Sequence, residues 1–357
     1  MHRQRIKELK DFIKDNNLDA FIVSRMANIR YLCGFTGDAG LLIVKPNGAF
    51  FICDGRFHGQ ADREVKGARI IPVKTSVLAA LKDLKQFHGK NVVYGYEPEY
   101  LYCADMDLIR ANLPGALLIP VSGAVENLSI IKDQKEMASI EKAVEISDVA
   151  FERILGYIEP GRKEIEICAE LEYQMKMLGS EKPAFDTIVA SGIRSALPHG
   201  LASSKKVKKG EFVTIDFGAT YKGYVSDITR TVVVGRATSK QKRVYDAVLR
   251  AQRAGIRKVR AGTEAKAVDS AARKVIDKAG FKKYFTHGTG HGIGIYVHVK
   301  PNAGPRSTDK LRKGMVLTVE PGIYIPNWGG VRIEDDVAVT SGAGRVLNQA
   351  PKKLLEL

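Results

Sequence analysis

The chain has 357 residues, enough for two domains or one large one. Its 45% hydrophobic and 27% charged residues are those of an ordinary soluble globular protein, and no apolar run approaches the roughly 20 residues of a membrane helix. A net charge of +16 raises nucleic acid as a partner. The basic residues, however, are spread over many helices, and the densest cluster, KKVKK at 205–209, has no interleaved aromatics and leads into a strand. It reads as a solvated basic face, so neither nucleic acid nor membrane is expected as a partner.

The opening, MHRQRIKELKDFIKDNNLDAFIVS, reads as an amphipathic helix running into a short apolar strand. It lacks the apolar core and cleavage site of a signal peptide, so a cytoplasmic location is expected. LDAFIVS, GLLIVKPNGAFFICD, ARIIPV and KNVVYGYE are strand-like, with PNG marking a hairpin turn. Residues 1–125 therefore read as a small α/β domain, and 126–135 as a polar linker ending at Asp133, a helix cap with Glu136 three residues on. The four cysteines, Cys33, Cys53, Cys103 and Cys168, are far apart and form no CxxC pair, so they give no disulfide framework or structural zinc pattern.

From 136 to 357 a second domain is expected. Met137, Ile140, Val144, Phe151, Ile154 and Ile158 recur at helical spacing, and a second helix over roughly 163–178 stops at Gly179. The strands KKGEFVTIDFGA and YVSDITRTVVVG follow. Ser239 and Thr263 then cap two more helices, the second ending near Gly280, before the strands KGMVLTVEPGIYI and GGVRIEDDVAV. KKGEFVTIDFG (208–218) aligns without gaps on RKGMVLTVEPG (312–322), matching Thr214 to Thr318 and Asp216 to Glu320. A helix-helix-hairpin unit used twice, about a pseudo-twofold axis and a shared cleft, is the expected architecture.

Each hairpin carries two acids in apolar strands, Asp216 with Asp227 and Glu320 with Glu334. Carboxylates are seldom fully buried unless paired or bound to metal. The even spacing lets Asp216 and Asp227 face each other across an antiparallel pair, where like charges need something positive between them. Four carboxylates match two divalent cations, and an imidazole would bias the set toward transition metals. His291 is the candidate, within HGTGHGIG (287–294), a loop whose glycines let backbone approach closely. That stretch runs GxGxGxG with no following lysine and no acidic residue at the ribose position, so it fits neither a P-loop nor a dinucleotide fingerprint. HExxH is absent, which removes the common zinc-protease motif.

At these residues the chain resembles the pita-bread metallopeptidases, specifically the aminopeptidase P and prolidase branch. The resemblance rests on TIDFGA, SDITRT, HGTGHGIG, TVEPGIY and VRIED, with DTIVASG–RSALPHG, YVH, NIRYLCGFTG and FICDGR in support. It implies an α+β fold, with a pita-bread (creatinase/aminopeptidase-like) catalytic domain behind a smaller creatinase-like α/β N-terminal domain. It further implies that Asp216, Asp227, His291, Glu320 and Glu334 ligate two divalent metal ions, manganese first, with cobalt or zinc as alternatives. His199, His298, Glu320 and Arg332 are the implied catalytic set. Glu320 would carry the proton, the two histidines would steady the oxyanion or the substrate, and Arg332 would orient a ligand or a histidine. His287 would support the loop. The family pattern has acids around the second histidine where this chain has Tyr296 and Val299, and its FTGS reads FTGD here.

The implied reaction is hydrolysis of the Xaa-Pro bond in short proline-containing peptides, by a homodimer. The leading expectation is release of the N-terminal residue, as an Xaa-Pro aminopeptidase. The alternative is an Xaa-Pro dipeptidase (prolidase), for which Arg306 could meet the substrate carboxylate. Methionine aminopeptidases generally lack an N-terminal domain of this kind. A non-catalytic pita-bread binding module, or a metal-free amidinohydrolase such as creatinase, would not need all five ligands.

Overall fold

Six short strands form the sheet of the first unit, Met1–Ser129, in a computed structural model that describes residues 1–357. In sheet order they are Arg69–Val73, Gly48–Asp54, Leu41–Lys45, Ala20–Val23, Val93–Tyr96 and Leu117–Pro120. Pro46 and Asn47 make the tight turn, since Lys45 pairs directly with Gly48. Ile22, Ile43, Ile52 and Tyr94 pack together as its core. The edge strand Leu117–Pro120 escapes the sequence patterns because it is mostly exposed and so lacks apolar alternation.

The unit boundary falls between Ser129 and Ile130. The interval 126–135, expected as a polar linker, is structured. Helix Ala124–Leu128 ends within it, Ile130 is buried, and helix Gln134–Ile154 begins within it. That helix starts where its cap predicts. Asp133 Oδ1 accepts from the Lys135 and Glu136 amides at 2.8 and 2.9 Å, and the Asp133 amide donates to Glu136 Oε2 at 2.8 Å.

The second unit, Ile130–Leu357, holds the helix-helix-hairpin unit twice. Helices Gln134–Ile154 and Glu164–Met177 precede the sheet Ile228–Val233, Phe212–Phe217, Ile188–Ser191. Helices Ser239–Ile256 and Ala265–Lys278 precede the sheet Val299–Ala303, Gly290–Gly292, Val316–Val319, Asp335–Ala338, Arg345–Val346. The caps of the second helix pair are Thr238 and Glu264, one residue off Ser239 and Thr263. Thr238 wins because Gln241 stands three residues on and closes a reciprocal box, its Oε1 accepting from the Thr238 amide at 2.8 Å. No helix in the chain is long and apolar enough to cross a membrane.

Strand alternation aims the acids. Val213, Ile215 and Phe217 pack against Phe151, Ile154 and Leu171 of the first helix pair, which leaves Thr214 and Asp216 on the opposite face. Leu317 and Val319 pack against Val259 and Val268 in the second copy, leaving Thr318 and the next alternate residue, Glu320, on the other face.

Candidate metal centre

All four acids sit where a strand ladder ends. In the first hairpin the register pairs Asp216 with Thr229 and Phe217 with Ile228, so Asp227 lies diagonally from Asp216 and not opposite it, as the even spacing had suggested. The two-residue turn Lys222–Gly223 sets this register, pairing Tyr221 with Tyr224 and Thr220 with Val225 in the same phase as Asp216 with Thr229. A Cβ on Gly218 would fall 1.9 Å from the Ser226 carbonyl oxygen, and a separate small hairpin, Thr220–Tyr221 with Tyr224–Val225, takes over. In the second hairpin the last regular pair is Val319 with Asp335, and Glu320 and Glu334 are the next residue on each strand. Pro321, which has no N–H, ends that ladder before the hairpin Gly322–Ile325 with Gly329–Arg332 begins.

His291 lies on a strand and not in a loop. Gly290–Gly292 runs between Val299–Ala303 and Val316–Val319, and the apolar IYVHV that follows is irregular until Val299. The glycines answer to crowding. A Cβ on Gly290 would stand 2.0 Å from the Thr318 carbonyl oxygen, and one on Gly292 would stand 2.2 Å from that of Lys300. His291 Nδ1 faces the Gly292 carbonyl at 3.3 Å, which places its proton there and leaves the Nε2 lone pair free. Nε2 lies 3.7 Å from Asp227 Oδ2 and 3.5 Å from Glu320 Oε1. One ligand atom each from Asp227, His291 and Glu334 all lie within 4.8 Å of one another.

Asp216 joins through Arg332, whose Nη2 donates to Asp216 Oδ2 at 2.5 Å. The same guanidinium donates from Nε to Thr229 Oγ1 at 3.0 Å, and Thr229 in turn donates to Glu334 Oε2 at 2.6 Å. From Nη1 it reaches the Tyr324 hydroxyl at 2.8 Å and the Pro198 carbonyl at 3.1 Å, and His199 follows at an exposed position. His287 closes the chain. Its Nδ1 faces the Gly288 carbonyl at 2.7 Å, so its Nε2 accepts from the Tyr324 hydroxyl at 2.9 Å. His298, also exposed, lies with its ring centroid 4.1 Å from that of His291. The structure thus gathers all five expected ligands, with Arg332 among them and His298 beside His291. Arg306 is exposed in the connection between His298 and Glu320, and Tyr296 and Val299 are half-buried.

The electrostatics show what kind of ligand these groups suit. Burial, then Glu334 and Asp216, pushes the Asp227 carboxyl well above the usual carboxylate range. Burial, then Glu320 and Asp216, does the same to Glu334. Burial raises Glu320 to about 7 despite Arg332. Burial and the neighbouring His298 push His291 down to about 3, and burial with Arg332 pushes His287 to about 4, so both imidazoles are neutral at pH 7. Asp216 Oδ1 is buried with no hydrogen-bond partner. Crowded acids short of positive charge, an orphaned carboxylate oxygen and an imidazole nitrogen presented unprotonated form a donor set that fits divalent cations of the manganese–cobalt–zinc kind.

Residues 138–341 match the model of metallopeptidase family M24, and residues 5–131 match the creatinase/prolidase N-terminal domain. The chain belongs to metallopeptidase family M24. It is 38% identical to the Xaa-Pro dipeptidase of Pyrococcus horikoshii, over 99% of both chains. Among solved structures it superposes on an Xaa-Pro dipeptidase from Bacillus anthracis with a TM-score of 0.95 at 40% identity, covering 100% of both chains. An X-Pro aminopeptidase from Thermotoga maritima superposes with a TM-score of 0.89 at 36% identity, covering 99% of both. This M24 metallopeptidase has the pita-bread fold with a separate N-terminal domain.

Several contributors lie inside the quoted motifs without having been singled out. Thr229 of SDITRT and Thr318 and Tyr324 of TVEPGIY orient ligands or ligand-bound groups, with Thr318 Oγ1 accepting from the His291 amide at 3.1 Å. The match of Thr318 to Thr214 in the internal repeat was a second signal for it.

Proposed function

We propose that the chain hydrolyses Xaa-Pro dipeptides, using two divalent metal ions held by Asp216, Asp227, His291, Glu320 and Glu334, with manganese the first candidate. The convergence of all five donors carries the chemistry. The dipeptidase relatives at 38% and 40% identity over essentially the whole chain favour the dipeptide over the longer peptide. Release of an N-terminal residue from longer peptides, the leading expectation from sequence, becomes the second reading. The Thermotoga maritima structure favours it.

When bound, such ions lower the pKa of a water from ~15.7 toward ~7 and polarise the scissile carbonyl. The protein's own groups do the rest. Glu320 is the group that would take the proton from the attacking water and pass it to the departing proline nitrogen. Arg332 holds Asp216 directly and Glu334 through Thr229, fixing one acid from each hairpin. His298 has its pKa lowered by burial and by His199, and as a neutral imidazole at the rim it can donate to the carbonyl oxygen. His199, next to Pro198 whose carbonyl Arg332 holds, is the second imidazole that would steady the substrate.

Turnover of Ala-Pro against Ala-Pro-Ala, with manganese supplied, tests the reading. The dipeptide should be preferred by at least ~10-fold in kcat/KM, a difference of about 1.4 kcal/mol. Preference for the tripeptide would establish the aminopeptidase reading. Arg306→Ala should raise KM for the dipeptide alone if Arg306 meets its carboxylate.

A further inference from the structure

We infer that Arg230 and the segment Asn348–Leu357 position two of the metal ligands, Asp227 and Glu334, from behind. The inference rests on the ion site proposed above. Neither Arg230 nor any residue of the segment belongs to the donor set.

Arg230 lies on strand Ile228–Val233 and is 1% exposed. Its Nη1 donates to the Thr229 carbonyl at 3.0 Å and to the Glu334 carbonyl. Its Nη2 donates to Asp335 Oδ1 at 2.8 Å and to the Ala350 carbonyl at 2.9 Å. The Glu334 amide donates to the Thr229 carbonyl at 3.1 Å, so both flanking peptide groups of this ligand are tied down. The segment completes the fork. Lys352 Nζ and Gln252 Nε2 both donate to Asp335 Oδ2, the latter at 2.7 Å.

A parallel route reaches Asp227. Its amide donates to Asp336 Oδ2 at 2.9 Å, and the Asp336 amide donates to Asn348 Oδ1 at 2.7 Å. Asn348 sits in a segment that is itself anchored. Asp148 accepts from the Gln349 amide at 2.6 Å and the Ala350 amide at 3.2 Å. Further on, the Val233 amide donates to the Leu355 carbonyl and the Leu357 amide to the Val233 carbonyl, both at 2.9 Å, along the strand that follows Asp227.

A fully buried ion pair such as Arg230–Asp335 is weak evidence for stability, because apolar residues of similar size stabilise a core as well. A planar fork that fixes three carbonyls is something apolar residues cannot replace. Ligand groups need placement within ~0.5 Å to bind an ion well, and partners behind the ligands supply it.

The test is cobalt binding to the chelator-stripped protein, followed by its visible absorption bands, beside the melting temperature of the ion-free form. Asn348→Ala and Arg230→Lys should weaken cobalt binding about 10–100-fold and shift the bands, while the ion-free melting temperature of Asn348→Ala stays close to wild type. A purely structural role would instead lower that melting temperature and leave the folded protein's cobalt affinity and spectrum unchanged. Should Arg230→Lys not fold, Asn348→Ala decides alone, and wild-type affinity and spectrum in that variant overturn the inference. If wild-type protein itself takes up no cobalt, the ion site proposed above fails and this inference fails with it. If wild type binds and Asn348→Ala matches it, only this inference fails.

Discussion

Stripping the ions with a chelator should leave a protein whose stability falls as pH rises, and the size of the effect follows from the crowded acids. Glu320 ordinarily titrates at 4.5 and is held at about 7 by burial in the fold. Below pH 4.5 it is protonated both folded and unfolded. Between 4.5 and about 7 the folded protein keeps a proton that the unfolded chain has lost, so the group's contribution is full at the acid end and is lost as pH rises through 7. For Glu320 alone that amounts to about 3 kcal/mol. Asp227 and Glu334, raised in the same direction by burial and by their neighbours, add to the slope. His287 and His291, lowered to about 4 and about 3, oppose it below their ordinary 6.5, so the acids alone set the slope above pH 6.5. Bound cations replace the protons and should flatten the profile. Urea unfolding of chelated and manganese-loaded protein at pH values of about 6.5, 7, 7.5 and 8 reads this directly, with the transition of the catalytic unit followed at its single tryptophan, Trp328. A chelated protein whose stability does not fall across that range, or one with the same pH slope as the loaded form, would show that the acids do not confront one another as described.

Asp227→Asn should abolish Xaa-Pro hydrolysis by ~10³-fold or more and lower the ion count measured by atomic absorption, with circular dichroism unchanged; wild-type turnover would remove Asp227 from the site. Thr229→Val keeps the shape but leaves Arg332 Nε and Glu334 each short of a partner, so the ion-free protein should lose about 1–3 kcal/mol by urea unfolding, while Thr229→Ser restores it. Gly290→Ala drives a methyl to within 2.0 Å of the Thr318 carbonyl oxygen and should destabilise the fold by at least ~3 kcal/mol, measured by thermal melting.

What could be read from the letters was what depends on local pattern. Four acids in otherwise apolar strands stand out because burial penalises them, and the box at Asp133 and Glu136 announces a helix by its own hydrogen bonds. Register was not local. The spacing of Asp216 and Asp227 allowed them to face each other, but the turn between them contains its own hairpin, with Lys222 in the left-handed region at φ 50°, and the ladder closes on Thr229 instead. The role of Arg230 was invisible for a related reason. It stands within SDITRT, but its acidic partner, Asp335, lies 105 residues away.

The duplicated unit has diverged at the point where it does chemistry. In the first copy the residue opposite the acid at the strand end is Thr229, a hydroxyl, and the second acid is displaced to the diagonal. In the second copy the corresponding position, next after Val319 paired with Asp335, is Glu334. Thr229 and Glu334 are therefore counterparts in the two hairpins, and they meet, hydroxyl to carboxylate at 2.6 Å. A strict repeat would have left either two more carboxylates or two hydroxyls there. The mismatch gives one donor and one acceptor where the copies touch, and it leaves Arg332 the room to hold Asp216 from the other side. Asp227, Glu320 and Glu334 stand just past the regular pairing of their strands, and Asp216 stands one pair inside it. Asp216, Asp227 and Glu334 are held by side chains of the opposite copy, so the cleft requires both halves of the repeat to be folded before any ion can be held.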